Sequence, residues 1–217
     1  MDAERLPAAV LEAARDRRGG ATEIAAKALD GLLQVADDPP LLEAAVAALL
    51  AGQPAMAPLW HLAMAARGPA PLQALAELRR GLELDSAAAA SAGAAWLRRR
   101  LADRPGTVAT VSHSSLVDRV LARLGSGGEL VEPLAGLVGA DAIGPEAFLN
   151  ASGTAELAAR LPTLVVATPI KLVPAGVFAR LAAPGFETVP LAAAAAVVVG
   201  PLVLSPAAAG RRAAALG

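Results

Sequence analysis

The sequence predicts an α/β protein in which a helical domain, residues 1–103, precedes a parallel-sheet domain, residues 104–217. The first half is rich in Ala, Leu, Glu and Arg, and proline or glycine interrupts it, which is typical of a series of helices. The composition changes at Pro105-Gly106, after which the β-branched Thr107–Val111 is typical of a buried strand. Further along, a helical stretch lies between two extended segments, which indicates parallel α/β construction.

The helical half divides at its glycines and prolines. The first helix is expected from about Ala3 to Arg18, and Thr22 is placed to cap the second. Ser86 is expected to cap the last helix, which ends in the cluster Arg98–Arg100. That cluster either complements the helix dipole or forms an anion or partner site. Few aromatic residues are present, so Trp60 and Trp96 are expected to be the largest side chains of the core.

The segment from Val138 to Lys171 organises the second half. Val138–Ile143 is expected to be a short strand, followed by the extended Ala147–Asn150. A helix opening at Gly153-Thr154 then precedes a buried strand, Thr163–Thr168. Ligands of such folds bind beyond the carboxyl ends of the strands, so Asp141, Asn150 and Lys171 are expected on one rim of the sheet.

The loop Ser112–Ser115 lies between the strand Thr107–Val111 and a helix that ends at Gly125. A small polar loop in this position either presents backbone N–H groups to an anion or simply caps the helix. His113, in the same loop, is a candidate proton carrier or a half-buried hydrogen-bond donor. His61 lies beside Trp60 within a helix and is expected to be structural.

Composition and charge argue against several kinds of function and site. The formal net charge is −1, so no overall field favours nucleic acid, and the absence of cysteine excludes disulfides and thiol nucleophiles. No His, Asp or Glu spacing is typical of a metal site, and no cofactor-binding motif is found. The uncharged stretch Thr188–Gly210 contains three prolines and much alanine, so a buried helix or strand at Leu191–Val199 and a short strand at Leu202–Ser205 are expected rather than a membrane span. The N-terminus lacks a secretory signal, and we expect a cytoplasmic protein.

Four segments together resemble one superfamily, the alpha/beta/delta-type subunits of translation initiation factor 2B with methylthioribose-1-phosphate isomerase and ribose-1,5-bisphosphate isomerase. The segments are Thr110–Ser115, Gly139–Ile143, Asn150–Ala158 and Val165–Pro174. They are similar to the family's first-strand loop, its GADAI run, its N-K-x-G-T-x-x-L-A motif and its S-K-x-D-P segment. Ala21–Leu29 is a weaker match in the N-terminal domain. The resemblance implies a helical domain followed by a Rossmann-like domain.

The sequence departs from the family at positions that carry chemistry. Ser114 stands where the isomerases have a cysteine, and a hydroxyl is a far weaker acid than a thiol. Ala151 and Val173 replace the family's lysine and aspartate, and Gly19 replaces an arginine, with Arg18 one residue away. Only residues 125–137 fill the gap before GADAI, where the family has a further strand–helix–strand stretch with a phosphate-binding arginine. The resemblance therefore implies a reduced Rossmann-like domain.

Three functions remain open on this resemblance. The first is a non-catalytic or weakly catalytic protein that binds a phosphorylated sugar or nucleotide. The second is a sugar-phosphate aldose–ketose isomerase, and the third is a structural interaction module. The ligand-binding candidates are Ser112, Ser115, Gly139, Asn150, Gly153, Thr154 and Lys171. The catalytic candidates are Asp141, Ser114 and His113.

Each candidate role follows from its chemistry. Asp141 would orient a hydroxyl or act as general base, and Lys171 would bind a phosphate as a point charge. The turns at Ser114 and Gly153 would offer backbone donors. A narrowed sheet leaves an edge that favours pairing, so we expect a homodimer.

Overall fold

The structure, a computed structural model, describes residues 5–101, 107–111, 114–125, 132–181 and 184–217. The helices in these ranges are α1 Ala8–Arg15, α2 Ala21–Leu33, α3 Pro39–Gly52, α4 Ala57–Ala66, α5 Pro71–Leu101, α6 Ser115–Leu124, α7 Thr154–Arg160, α8 Ala175–Phe178 and α9 Pro206–Ala214. The strands are β1 Thr107–Ala109, β2 Pro133–Val138, β3 Ala142–Ile143, β4 Ala147–Ala151, β5 Thr163–Ala167, β6 Phe186–Pro190, β7 Ala196–Val199 and β8 Leu202–Leu204. The predicted α/β class, with helices first and a mostly parallel sheet after them, is confirmed.

The N-terminal helices enclose an aliphatic core to which α1 to α4 and the first half of α5 contribute. Among its fully buried side chains are Ile24, Leu29, Leu49 and Leu75. Helix α2 begins at Ala21 with Gly20 as its N-cap, so the prediction that Thr22 is the cap was wrong. Gly20 is extended, with a ψ of 158°. Glycine is accepted at an N-cap although it has no capping side chain, and it leaves the first-turn N–H groups of α2 accessible.

Helix α5 runs without interruption for 31 residues. The prediction that Ser86 caps a separate helix was therefore wrong: Ser86 is buried within α5, and its Oγ donates a 2.7 Å hydrogen bond to the Leu82 carbonyl. A serine inside a helix satisfies its hydroxyl in this way. The second half of α5 packs Ala90, Ala94 and Leu97 into the core beneath the sheet, so this helix contributes to both halves of the molecule.

The main sheet has the strand order β1-β2-β5-β7-β8, parallel except for β8. The strand expected at Val138–Ile143 is interrupted: β2 ends at Val138, residues 139–141 are not in a strand, and Ala142–Ile143 forms β3. The chain then leaves the sheet, because the Asp141 N–H donates to the Leu149 carbonyl of a different sheet at 2.8 Å. Asp141 consequently lies in a turn at the carboxyl end of β2.

The second sheet is antiparallel, with the order β3-β4-β6. The predicted extended segment Ala147–Asn150 is found as β4, but it belongs to this sheet rather than to the parallel one. Its Phe148 is completely buried and is among the largest such side chains, whereas Trp60 and Trp96 are only half-buried. The expectation that the tryptophans are the largest side chains of the core was therefore wrong: both pack only partly buried against core clusters.

The segments after residue 188 are short. The stretch expected to be buried contains a 3-10 turn at Leu191–Ala193 and the buried strand β7, and β8 follows as predicted. Within the ranges that the structure describes, no helix is long and apolar enough to cross a membrane.

Candidate functional site

The carboxyl ends of the strands and two helix N-termini surround a cavity of about 130 Å³. We call it the Asp141–Lys171 cavity. Its lining residues are Gly19, Gly20, Ala21, Ser114, Gly139, Ala140, Asp141, Asn150, Ala151, Lys171 and Phe186. Five of the residues that the sequence nominates, Ser114, Gly139, Asp141, Asn150 and Lys171, thus lie around one space, although they are separated by up to 57 positions in the chain.

Lys171 enters the cavity from a 3-10 turn, Pro169–Lys171, that follows β5. Its side chain is only 2% exposed. Among the described residues, Lys171 has neither a hydrogen bond through Nζ nor an ion pair within 4.0 Å. Burial lowers the pKa of Lys171, and the charge of Asp141 opposes that shift in part. A buried cation without a direct partner is unfavourable, which makes it a candidate for binding an anion.

Asp141 is held by its backbone while its carboxylate remains available. Its N–H donates to Leu149 at 2.8 Å, and its carbonyl accepts from the Ala57 N–H at 3.1 Å, which connects the turn to the start of α4. Burial raises the pKa of Asp141, and the Lys171 charge partly offsets this effect. A carboxyl group with a raised pKa, beside a lysine with a lowered one, can exchange protons more readily than either group in water.

Asn150 presents an acceptor to the same cavity. Its Nδ2 donates a 2.9 Å hydrogen bond to Thr154 Oγ1, which in turn donates to the Ala151 carbonyl at 2.7 Å. This chain fixes the amide and leaves Asn150 Oδ1 to accept from a ligand. Thr154 is completely buried and Gly153 has a φ of 95°, so both support the site without lining the cavity.

Two helix N-termini converge on the cavity. Gly20 precedes α2 and Ser114 precedes α6, and neither residue makes a side-chain capping hydrogen bond. The two ends are close: a Cβ on Gly20 would lie 3.7 Å from the Ser115 backbone nitrogen. First-turn N–H groups and the positive ends of two helix dipoles therefore face the same region, which favours an anion.

Ser114 occupies space that a glycine provides. A Cβ on Gly139 would lie 3.1 Å from Ser114 Oγ, so the hydroxyl approaches the backbone closely where β2 ends. Ser115 lies next to Gly20 but does not line the cavity. The predicted ligand residue Ser112 and the predicted catalytic residue His113 lie outside the described residues.

Sequence reasoning noted Gly19 only as the position of the family's arginine, and it did not assign Gly20, Ala21 and Phe186 to the site. The available signal was the Gly19-Gly20 pair before α2, since glycines ahead of a helix leave its amides accessible. The carboxylate of Asp16 shapes this turn by accepting from the N–H groups of Arg18 and Gly19 at 2.9 and 2.8 Å, and it pairs with Lys27 at 2.6 Å. Nothing in the local sequence indicates that the turn meets β2.

His61 and the cluster Arg98–Arg100 lie outside the Asp141–Lys171 cavity. His61 Nε2 lies 2.7 Å from the Leu172 carbonyl, and its ring packs edge-on against Trp60 with centroids 4.8 Å apart. Arg98, Arg99 and Arg100 are exposed in the last turn of α5. Among the residues described, no group of three His, Asp or Glu side chains could hold a metal ion.

The fold defines a class: a helical region packed on a Rossmann-like parallel sheet, with a cavity at the carboxyl ends of its strands. The sequence matches no protein-family profile, and no curated protein is similar to it. Solved structures do share the fold. Translation initiation factor eIF-2B from Pyrococcus horikoshii OT3 is 20% identical and superimposes with a TM-score of 0.70 over 93% of this chain and 98% of that one.

Two further structures extend the comparison. The tetrameric eIF2B-beta2-delta2 complex from C. thermophilum contains a chain that is 16% identical, with a TM-score of 0.65 over 96% of this chain and 93% of that one. 5-Methylthioribose 1-phosphate isomerase from Pyrococcus horikoshii OT3 is 17% identical, with a TM-score of 0.61 over 96% of this chain and 86% of that one. The chain therefore has the fold shared by initiation factor 2B subunits and this isomerase, as the resemblance in its sequence implies.

Proposed function

We propose that this protein binds a small phosphorylated polyol, such as a sugar phosphate or the ribose phosphate of a nucleotide, in the Asp141–Lys171 cavity. The observation that carries the proposal is Lys171, a cation 2% exposed and without a direct partner among the described residues. A phosphate would contact the Lys171 ammonium directly, whereas Asp141 acts on it through its charge without an ion pair within 4.0 Å. Two open helix N-termini at the same cavity support the assignment because they favour an anion independently of lysine.

The remaining polar groups suit the hydroxyls of such a ligand. Asp141 can accept from a hydroxyl as a carboxylate, and Asn150 Oδ1 is a second acceptor held in place by Thr154. A phosphate near Lys171 with an adjoining hydroxyl near Asp141 would pair every polar group named here. This arrangement requires a ligand that has a phosphate and a hydroxyl a few bonds apart.

The dimensions of the cavity restrict the ligand. Its volume of about 130 Å³ is below the roughly 300–1,000 Å³ of typical small-molecule pockets. Only a phosphate and the adjoining carbons are enclosed, and the rest of the ligand extends outward. The described lining contains one lysine and no arginine, so a monophosphate is favoured over a bisphosphate.

Weak or absent catalysis follows from the same residues. Aldose–ketose isomerisation moves a proton between adjacent carbons and needs an acid and a base. Asp141 is a suitable base, and its raised pKa is the observation that favours the isomerase alternative. Ser114, whose hydroxyl approaches Gly139 at the carboxyl end of β2, is a poor acid because its hydroxyl ionises far above neutral pH. Binding without turnover is therefore the preferred function.

A thermal-shift and titration panel tests this proposal. The ligands are ribose 5-phosphate, adenosine monophosphate, methylthioribose 1-phosphate and ribose 1,5-bisphosphate. A ligand at 100 times its Kd stabilises the protein by about 2.7 kcal/mol. We expect a monophosphate to stabilise the wild-type protein, and Lys171→Met to weaken its binding roughly 10- to 100-fold, as loss of a charged hydrogen bond implies.

Arg180→Met is the matched control, because it removes an exposed cation outside the cavity. It should bind as the wild type does. Absence of stabilisation by every compound would contradict the proposal and favour the interaction module. Conversion of a sugar phosphate by the wild type, lost in Asp141→Asn, would establish the isomerase instead.

We also propose that the chain forms a homodimer. Strand β8 lies at the edge of the main sheet, and its Leu202 and Val203 are 39% and 42% exposed. An exposed apolar edge strand favours pairing with another strand. A second copy of this chain presents the same edge, so a two-fold interface can cover both.

A further inference from the structure

Among the described residues that line the Asp141–Lys171 cavity, Phe186 is the one aromatic residue. It is the first residue of β6 and follows Gly185, whose φ of 85° turns the chain into the strand. Its partner across the antiparallel pair is Ala151, which also lines the cavity. Phe186 therefore shares a wall with the end of β4, the strand from which Asn150 reaches the same space.

Phe186 is held in place on one side and accessible on the other. Its side chain packs, partly buried, against an apolar cluster that includes Leu149 and Val177. The turn before it is fixed by Ser152, whose N–H and Oγ donate to the Gly185 carbonyl at 3.0 and 3.2 Å. The neighbouring Ala151 carries only a methyl group, which is too small to cover a phenyl ring across the strand pair. The accessible part of the ring thus offers a rigid apolar surface at the cavity.

A phosphate and its adjoining hydroxyls give this ring no role. They need charged or hydrogen-bonding partners, which Lys171, Asp141 and Asn150 provide and a phenyl ring does not. The cavity, with a volume of about 130 Å³, encloses only the phosphate and the nearest carbons, so the next part of the ligand lies along the wall. An aromatic wall suits a flat π-system, which gains from offset or edge-on stacking as well as from burial.

We propose that Phe186 determines the specificity of the cavity by stacking against a nucleobase, so that the ligand is a nucleoside monophosphate rather than a free sugar phosphate. The inference rests on the proposed function and selects between the two ligand classes named there. The phosphate contacts Lys171, a ribose hydroxyl contacts Asp141 or Asn150, and the base lies against Phe186. Each part of a nucleotide then meets a group of matching chemistry.

Calorimetric titration of the full chain with adenosine monophosphate and ribose 5-phosphate tests the inference, because the two compounds share the ribose phosphate and differ in the base. Loss of one base–aromatic stack weakens binding roughly 5- to 150-fold. We therefore expect the wild type to bind the nucleotide at least fivefold more tightly than the sugar phosphate. Phe186→Leu keeps an apolar side chain without a π-system and should remove this preference by weakening the nucleotide alone. Phe186→Tyr should retain the preference.

Two control variants separate stacking from packing and from phosphate binding. Phe178→Leu is the matched control, because Phe178 is also partly buried against the same cluster but does not line the cavity. It should keep the wild-type preference. Lys171→Met should weaken both compounds to the same extent, since it acts on the phosphate that they share.

The failures of the two proposals are distinguishable. Equal wild-type affinity for the two compounds, or equal weakening of both by Phe186→Leu, would overturn the role of Phe186 and leave the phosphate site standing. Loss of the preference in Phe178→Leu as well as in Phe186→Leu would also overturn it, because the effect would then come from packing. If the wild type bound neither compound, both the proposed function and this inference would be wrong.

Discussion

The pair Asp141 and Lys171 is the residue-level signature of the site. Burial shifts the pKa of both groups toward their neutral forms, and each charge partly offsets the shift of the other. Because the pKa of Lys171 is lowered in the folded state, this residue reduces the free energy of unfolding once the pH falls below the ordinary lysine pKa. Because the pKa of Asp141 is raised, this residue reduces the free energy of unfolding once the pH rises above the ordinary aspartate pKa. Both losses are present between these limits, so the pair destabilises the fold at neutral pH, as is common where function requires buried charge.

Replacing both charges should therefore stabilise the protein. We expect Asp141→Asn/Lys171→Met to raise the free energy of unfolding by about 1–4 kcal/mol at neutral pH, and the gain to shrink toward strongly acidic and strongly alkaline pH. The double variant should be more stable than the sum of the two single-variant effects predicts, since each single variant leaves one buried charge alone. Urea denaturation of the four proteins across pH measures this. A double variant less stable than the wild type would show that the charges support the fold.

Among the elements, the helices differ in how closely they approach one another. Gly31 in α2 lies against α1: a Cβ there would be 2.6 Å from Val10 Cγ2 and 2.8 Å from the Val10 nitrogen. Gly81 in α5 faces a cavity between α4 and α5, and the nearest atom to its Cβ position is Asp85 Oδ2 at 3.8 Å. Both glycines are unfavourable for helix formation, but only Gly31 is required by packing.

The two glycine-to-alanine variants should consequently have opposite effects. Gly31→Ala forces α1 away from α2 and should lower the free energy of unfolding by about 1–3 kcal/mol. Gly81→Ala gains helix propensity without a clash and should raise it by about 0.5–1 kcal/mol. Chemical denaturation of both variants beside the wild type tests the pair. Stabilisation by Gly31→Ala would mean that α1 and α2 are farther apart than this packing requires.

In the whole molecule, α5 joins the helical half to the sheet. It spans about 46 Å, contributing Leu75 and Leu82 to the helical core and Ala94 and Leu97 to the sheet core. The predicted division between residues 103 and 104 stays a prediction, but the two halves share this helix. We place association at the edge strand β8.

A dimer of this kind has a measurable mass. Light scattering at micromolar concentration should give twice the chain mass of 21.6 kDa for the wild type. Val203→Lys should give the monomer, because it places a charge on the edge that pairs. Leu72→Lys alters a comparably exposed residue, 47% exposed, on the first turn of α5 and should remain dimeric. A monomeric wild type would contradict the proposal.

Local sequence was sufficient for several elements. Helix α6, helix α7 and strand β5 were predictable because their apolar spacing and flanking Gly or Pro residues act over a few positions. Ser86 was misleading because a serine forms the same kind of hydrogen bond at a cap and within a helix. The strand near Asp141 was misplaced because strand and turn residues there are equally small and apolar.

The sequence by itself determined the α/β class, the resemblance in its motifs, and the prediction that Asp141, Asn150 and Lys171 share one rim. The rule that parallel strands present their carboxyl ends together accounts for Asp141 and Lys171, which follow β2 and β5, whereas Asn150 reaches the cavity from β4 of the antiparallel sheet. Only the tertiary structure decided that Gly19 and Gly20 complete the cavity, that Lys171 is buried without a direct partner among the described residues, and that Phe186 lines the same cavity from β6. Burial and contact between distant segments are properties of the packed chain, and no local pattern encodes them.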